Sequence, residues 1–424
     1  MTPGAPWRIV ELDLDQPIAP LQLEPRECGV ALIVRRRGRR VGFLLRPLQA
    51  GALCSPRAQA EWIAAEAGGM MVQDTIRQEL EELDDRAVDR GPMPTVTVAI
   101  CTKDHPELAK QCVLAALRLR ETSASAASLT EILVVDNAPS DDRTDEAVAG
   151  MPGVRYVREP RVGLDFARNR AIREATGTFV AFIDDDAIVD SGWLDGLADA
   201  WRVHPDAGAF TGLVLPLELE TEAQVLFELH GGFRRGFART RFAGADRHGN
   251  PWYPLGAGSF GAGCNMVFRT ALVRTLGGFD EALDTGAPLP GGGDLDMFYR
   301  VARAGGVLVY EPALLVFHRH RRERAALRRQ YYTWGLGFVA YLAKTWRSDP
   351  TQRSKVRRLV RWWIVDHLRT LARSALGRDP HPVAFVIAEL LGGVVGATGT
   401  YGRSVQRSRR ITAALSKPLA GGAS

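Results

Sequence analysis

The spacing of apolar residues changes several times along this chain, and each change marks a new element. Val30-Ala31-Leu32-Ile33-Val34 and Val41-Gly42-Phe43-Leu44-Leu45 flank a turn of Arg and Gly. That pattern predicts a β-hairpin. Residues 58–85 read as a helix with an acidic end from Glu79 to Asp85. Asp89-Arg90-Gly91-Pro92-Met93-Pro94 reads as a linker by its Pro and Gly content. From Thr95 short apolar runs alternate with helical stretches. Strands are predicted at 96–100, 132–135, 154–157 and 179–183, with helices at 106–119, 142–149 and 164–176 between them. Such alternation implies a mostly parallel sheet with right-handed crossovers, flanked by helices. After Trp193 the helical pattern gives way to Gly- and aromatic-rich sequence from Phe210 to Phe268. A strand is predicted at 307–310 and a helix at 321–346. Residues 353–378 are Arg-rich and contain Trp, and 383–401 are apolar apart from Glu389.

Length and composition divide this pattern. A chain of 424 residues is too long for one ordinary core. Three regions are expected: a small α+β domain at 1–90, an α/β domain at 92–346, and a helical, basic extension at 347–424. The net charge of +5 is modest, but Arg is concentrated in the last quarter. No base-reading or stacking module accompanies it, so nucleic acid is not expected as a partner. The five cysteines are scattered and none has zinc-ligand spacing, which fits a reducing compartment. Met1 to Pro20 contains no apolar signal-peptide core, so a cytoplasmic location is expected. No G-x-G-x-x-G is present, which argues against a dinucleotide site.

The strongest chemical feature is Asp184-Asp185-Asp186 at the end of the run Phe179-Val180-Ala181-Phe182-Ile183. A buried strand there delivers three carboxylates to the sheet edge where α/β proteins bind ligands. Adjacent like charges repel unless a cation or donor offsets them. A divalent metal carrying phosphates suits carboxylate oxygen; a solvated Asp-rich turn is the plainer alternative.

Further motifs follow in order. They are Val98-Ala99-Ile100-Cys101-Thr102-Lys103-Asp104, Val134-Val135-Asp136-Asn137, Gly163-Leu164-Asp165-Phe166-Ala167-Arg168-Asn169, and Gly261-Ala262-Gly263-Cys264-Asn265-Met266. Gly293-Asp294-Leu295-Asp296-Met297-Phe298-Tyr299-Arg300 and His318-Arg319-His320 complete the series. With the Asp triplet as a DxD motif, this series resembles family 2 glycosyltransferases of the GT-A fold over roughly residues 92–345. The resemblance implies a nucleoside-diphosphate-sugar donor, a divalent cation (Mn2+ or Mg2+), and inverting transfer to a glycan or lipid-linked acceptor. It implies that Thr102, Asp136, Arg168, Asp184 and Asp185 bind the nucleotide sugar. Asp186 and His318 would ligate the metal and Asp294 would be the catalytic base. Gly263, Asn265 and Asp296 would line the sugar or acceptor site. Each residue also has a plainer reading. Asp136 suits a turn, Arg168 a surface ion pair, Asn265 a Gly-rich turn, and His318 with His320 a solvated basic face. Asp296 with Arg300 suits a helix-holding ion pair.

Two departures qualify the resemblance. Gly293 stands where Glu is common. Gln330-Tyr331-Tyr332-Thr333-Trp334 lacks the Arg of the Q-x-x-R-W that processive synthases carry, which favours transfer of one or a few sugars. Arg353, Lys355, Arg357, Arg358, Arg361, Arg369, Arg373 and Arg378 surround Trp362 and Trp363, a composition suited to an anionic membrane surface. Peripheral contact through 353–401, at the cytosolic face of the cell membrane, is therefore expected. The alternatives there are a basic helix packed on the catalytic domain and a buried helix pair. Cell-surface glycan assembly is the expected setting. The rival functions are a sugar-phosphate nucleotidyltransferase, whose Gly-rich basic loop is not evident after residue 100, and a catalytically silent glycan-binding scaffold.

Overall fold

The two N-terminal apolar runs pair as the hairpin predicts. The computed structural model describes residues 4–85, 92–244, 250–283, 286, 288–379 and 381–415. The expected linker at 89–94 lies, up to Gly91, outside the described residues. The first elements are β1 (Arg8–Asp13), β2 (Leu21–Gln22), β3 (Gly29–Arg36), β4 (Arg39–Pro47), β5 (Leu53–Cys54) and α1 (Pro56–Asp85). In the hairpin β3–β4, Arg36 faces Arg39 across Arg37 (φ 49) and Gly38 (φ 74). Both turn residues are left-handed, as a two-residue type I′ turn requires. β1 joins β3 in parallel. Strand β3 is buried from Gly29 to Val34 without alternation, because both sheet faces are covered. Val30, Leu32 and Val34 pack on Ile63 and Ala67 of α1. Ala31 and Ile33 pack on Leu213, Leu215, Leu219 and Leu315 of the region that follows. Arg40 crosses the same junction to hold Asp190 with two bonds of 3.1 and 2.7 Å.

The central region begins with β6 (Val96–Thr102), α2 (Pro106–Thr122), β7 (Leu129–Asn137), α3 (Arg143–Val148), β8 (Val154–Glu159), α4 (Leu164–Glu174) and β9 (Phe179–Asp184). It continues through β10 (Ala187–Val189), α5 (Trp193–Val203), β11 (Ala207–Pro216), α6 (Glu222–Leu229), β12 (Thr240–Phe242), β13 (Asn265–Arg269) and α7 (Thr270–Thr275). It closes with α8 (Gly293–Arg303), β14 (Val307–His318) and α9 (Arg324–Ser348). One nine-stranded sheet runs in the order β10-β14-β11-β13-β9-β6-β7-β8, with β12 also on β14. β6, β7, β8, β9, β11 and β14 share one direction, while β13, β10 and β12 run against it. This is the mostly parallel, helix-flanked α/β layout expected. Apolar cores lie on both faces, one around Ile100, Ile183 and Trp193, the other around Phe182, Phe268 and Phe298.

The Gly-rich stretch after Phe210 is more regular than its composition suggests. Strand β11 is buried along its whole length. Gly212 lies so near β14 that a Cβ would collide with the Leu314 carbonyl. Glycine is required there by close backbone approach.

The C-terminal helices are α10 (Arg353–Ala375), α11 (Val383–Val395) and α12 (Tyr401–Leu415). α11 lies along α9 at van der Waals distance: a Cβ on Gly392 would collide with the Tyr332 carbonyl, and one on Gly335 with the Glu389 carbonyl. Residues 383–415 include a window long and apolar enough to cross a bilayer. Non-helical backbone at Thr398 and Gly399 (φ 77) divides this stretch.

Candidate functional site

Strand register brings the acidic residues together. Thr102 of β6 sits opposite Asp136 of β7, and Cys101 opposite Asp184 of β9. After Asp184 the chain turns at once into β10, which returns along β14 with Ala187 facing His318. The turn spreads the three carboxylates apart, which limits their mutual repulsion. Asp184 Oδ1 lies 3.7 Å from Arg168 Nη2. Asp185 Oδ2 accepts from Thr102 Oγ1 at 2.6 Å and lies 3.2 Å from His105 Nδ1. Asp186 Oδ1 lies 3.2 Å from His318 Nε2, and Oδ2 lies 3.7 Å from Arg321 Nη1.

Their electrostatics diverge accordingly. Burial, followed by the neighbouring acids, pushes the Asp184 carboxyl up to about 6 even though Arg168 opposes the shift. Burial works against ionisation of Asp186 too, yet His318 and Arg321 hold its carboxyl below the usual range. The hydrogen bond to Asp185 raises the His105 imidazole.

The pair Asp186–His318 suits a divalent cation. Two ligands at right angles on an ion with bonds of about 2.1 Å lie about 3 Å apart, close to the observed 3.2 Å. A carboxylate with one imidazole is a donor set that Mn2+ or Mg2+ accepts. Among the described residues no cluster of three acidic, Cys or His side chains is placed to hold a metal. The other positions would therefore fall to ligand oxygens and water.

A cavity of about 630 Å³ opens beside this edge, lined by Arg168, Asp184, Asp186 and His318 and also by Gly263 and Asp294. Trp334, Trp362 and Trp363 form an aromatic wall. Asp294 is placed by the first turn of α8, which starts from Gly292 in a left-handed conformation (φ 102). Its Oδ1 accepts the Leu295 N–H at 2.8 Å. Its Oδ2 is turned to Gly263, where a Cβ would lie only 3.0 Å away. Gly263 thus keeps the wall open in front of the carboxylate. The absence of Glu at 293 has a spatial explanation. A Cβ on Gly293 would collide with the buried carboxylate of Asp165, from α4. Asp165 in turn pairs with Arg168 at 3.1 Å. An acid thus reaches this place from another helix.

Thr102, Asp136 and Asp185 sit at the ends of β6, β7 and β9 respectively, outside the lining of the cavity. Asp136 is fully buried; its Oδ2 accepts from the Tyr156 hydroxyl at 2.9 Å, and burial raises its carboxyl. A further side-chain hydrogen bond from Thr144 opposes the effect of burial on this carboxyl.

Two expected site residues serve the framework instead. Asn265 is fully buried, donates to the Leu213 and Leu314 carbonyls at 3.2 and 2.6 Å, and accepts from Trp193 Nε1 at 3.0 Å. Its amide ties β13 to β11 and β14 and is not part of the cavity lining. Asp296 is buried between Arg300 (2.7 Å) and Lys344 (2.6 Å), so its charge is already neutralised.

Sequence reasoning also passed over three residues. Arg235 lines the cavity and donates to the carbonyls of Gly258, Phe233 and Arg234. Glu228 lies beneath His320, and Asp165 beneath Gly293. His320 belongs to a buried cluster rather than to a solvated basic face, and burial pulls its imidazole well below the ordinary range. The i, i+2 spacing of His318 and His320 was the available signal for a shared face. Glu228, distant in sequence, had none.

Comparison with known proteins finds similarity to glycosyltransferases. Residues 97–272 match the model of the family described as "Glycosyl transferase family 2". The pre-mycofactocin glycosyltransferase of Mycobacterium tuberculosis is 27% identical over 264 residues, covering 60% of this chain and 51% of that protein. The succinoglycan biosynthesis protein ExoM of Rhizobium meliloti is 27% identical over 241 residues, covering 55% of this chain and 69% of that protein. A mannosyltransferase from Pyrobaculum calidifontis, solved in complex with GDP-Man and Mn2+, superposes with a TM-score of 0.45 at 19% identity, covering 85% of this chain and 98% of that one. The chain thus spans about half the length of the first of these relatives.

Proposed function

With residues 97–272 belonging to glycosyltransferase family 2, we propose that this chain is an inverting glycosyltransferase. It moves a sugar from a nucleoside diphosphate to a hydroxyl of a glycan or lipid-linked acceptor, in cell-surface glycan assembly. The observation that carries the reading is one cavity lined both by Asp184, Asp186 and His318 and by Asp294. Chemistry that separates a diphosphate from a sugar needs positive charge at the departing oxygens and a proton acceptor at the incoming hydroxyl. A divalent cation held by Asp186 and His318 would supply charge to the diphosphate.

The chain's own residues do the rest. Asp136, near the end of β7 opposite Thr102, accepts from the base or ribose. Arg168, held by Asp165 and stacked over Phe279 at 5.3 Å, presents a fixed cation toward the phosphates. Asp294 Oδ2, at the open wall beside Gly263, takes the acceptor's proton. Attack by that hydroxyl on the face opposite the departing diphosphate inverts the anomeric centre. The test is a panel of nucleotide sugars assayed for hydrolysis and binding with and without Mn2+. Cation-dependent turnover of one donor is expected; no binding or turnover of any donor would sink the reading.

The aromatic end of the cavity supports an acceptor with a lipid part. Trp363 of α10 is buried beside α11, whereas its neighbour Trp362 is exposed and lies 5.5 Å from Trp252. Ile364, Val365 and Leu368 of α10 and Leu391 and Val394 of α11 are also exposed. Arg353, Arg357, Arg358 and Arg361 are exposed on α10 close by. Apolar side chains among basic ones suit peripheral attachment to an anionic bilayer, each basic residue contributing about 1 kcal/mol near the surface. Sedimentation with vesicles containing phosphatidylglycerol should capture the protein at low salt and release much of it at high salt. Charge reversal at Arg357, Arg358 and Arg361 should weaken capture. Indifference to these vesicles at low salt would remove the membrane from the proposal.

A further inference from the structure

Behind His318 the buried polar groups form a chain. His318 Nδ1 lies 3.1 Å from His320 Nδ1, and His320 Nε2 lies 2.7 Å from Glu228 Oε1. Glu228 is paired on its other oxygen with Arg234. Phe227 and Phe233 pack against the His320 ring, with centroids 4.7 and 5.8 Å away. Both imidazoles are buried.

The direction of each hydrogen bond follows in turn. Glu228, held by the Arg234 guanidinium, is ionised and can only accept, so His320 carries a proton on Nε2. A second cation beside Arg234 would lie buried without a second anion, so His320 is neutral and its Nδ1 is an acceptor. His318 must then carry its proton on Nδ1. Its Nε2 lies 3.2 Å from the Asp186 carboxylate, so a second proton or a cation lies between the two.

This reasoning rests on the reading of Asp186 and His318 as a cation site and goes one step past it. We propose that Glu228 and His320 are positioning residues that hold the Nδ1 proton of His318, so that its Nε2 is the nitrogen turned to the cation. A ligating imidazole oriented by a hydrogen bond from its other nitrogen binds metal more tightly, and loss of such a partner costs about 10–100-fold in affinity. The geometry differs from the usual arrangement in that a second imidazole relays the orientation from the carboxylate.

Two measurements test this without any turnover assay. Long-range 1H–15N spectra of the histidine-labelled parent with Mg2+ should show His318 protonated on Nδ1 and His320 on Nε2. Titration of Mn2+ alone, followed by the electron paramagnetic resonance signal of the free ion, should show His320→Phe binding about 10–100-fold more weakly than the parent. Phe keeps the aromatic packing and removes the acceptor. His320→Gln, whose amide oxygen can accept from Nδ1–H, should recover part of the loss. If the parent binds Mn2+ and His320→Phe matches it within threefold, the inference is overturned alone. A His318 protonated on Nε2 overturns it even where the variant fails to fold. A parent that takes up no Mn2+ overturns the cation site and this inference together.

Discussion

Asp186→Ala is expected to lower the Mn2+-dependent affinity for a nucleoside diphosphate by about 100-fold, about 2.7 kcal/mol. A chelator should do the same to the parent. The carboxylate is the acid of the triplet that faces His318 and Arg321. Its removal takes away an anionic ligand and leaves His318 and Arg321 without the acid they face. Asp185→Asn makes a useful contrast. That side chain is turned away to Thr102 and His105, so the change should perturb the β6 tip and spare most cation dependence. Calorimetric titrations with the diphosphate, in Mn2+ and in chelator, separate these cases. Equal affinity in the parent, the chelated parent and Asp186→Ala would remove the cation role from Asp186.

How much of this was readable beforehand differs by element. Strands β6, β7 and β9 were legible because central parallel strands are buried on both faces and read as unbroken apolar runs. The position of Asp184, Asp185 and Asp186 followed from the end of one such run. That the three side chains diverge did not follow, because the partners Arg168, Thr102 and His318 come from three other elements. Asn265 looked like a ligand-binding residue because it follows a Gly-rich loop. Its role depends on Leu213, Leu314 and Trp193, which only strand pairing brings near. Gly293 looked like a missing acid; the replacement, Asp165, is supplied by α4 through space. Strand β11 was hidden by Gly208 and Gly212, which composition marks as loop, although close backbone approach demands glycine at 212. The helix pair α9–α11 was foreseen only as an alternative to membrane contact, since glycines at a helix contact and glycines in a poor membrane span look alike in sequence.

Asp294→Asn should lower turnover with the true acceptor by about 100-fold or more while leaving donor binding within a few-fold of the parent. The substitution is nearly isosteric. It keeps an oxygen for the Leu295 N–H, so the first turn of α8 should remain in place. What it removes is a basic oxygen on the open wall beside Gly263. The donor groups assigned to Asp136, Asp186 and His318 lie on other elements, which is why binding and turnover should separate. Donor affinity from calorimetry and initial rates at saturating donor provide the two readings. Should turnover stay within a few-fold, the base lies elsewhere. Asp296 is a poor substitute, because Arg300 and Lys344 already neutralise it away from the cavity. Asp165 would be the next acid to change, since its carboxylate fills the space beside Gly293 and its partner Arg168 faces the same cavity. A loss of donor affinity as large as the loss of turnover would also count against a base role, and would place Asp294 among the groups that hold the nucleotide sugar.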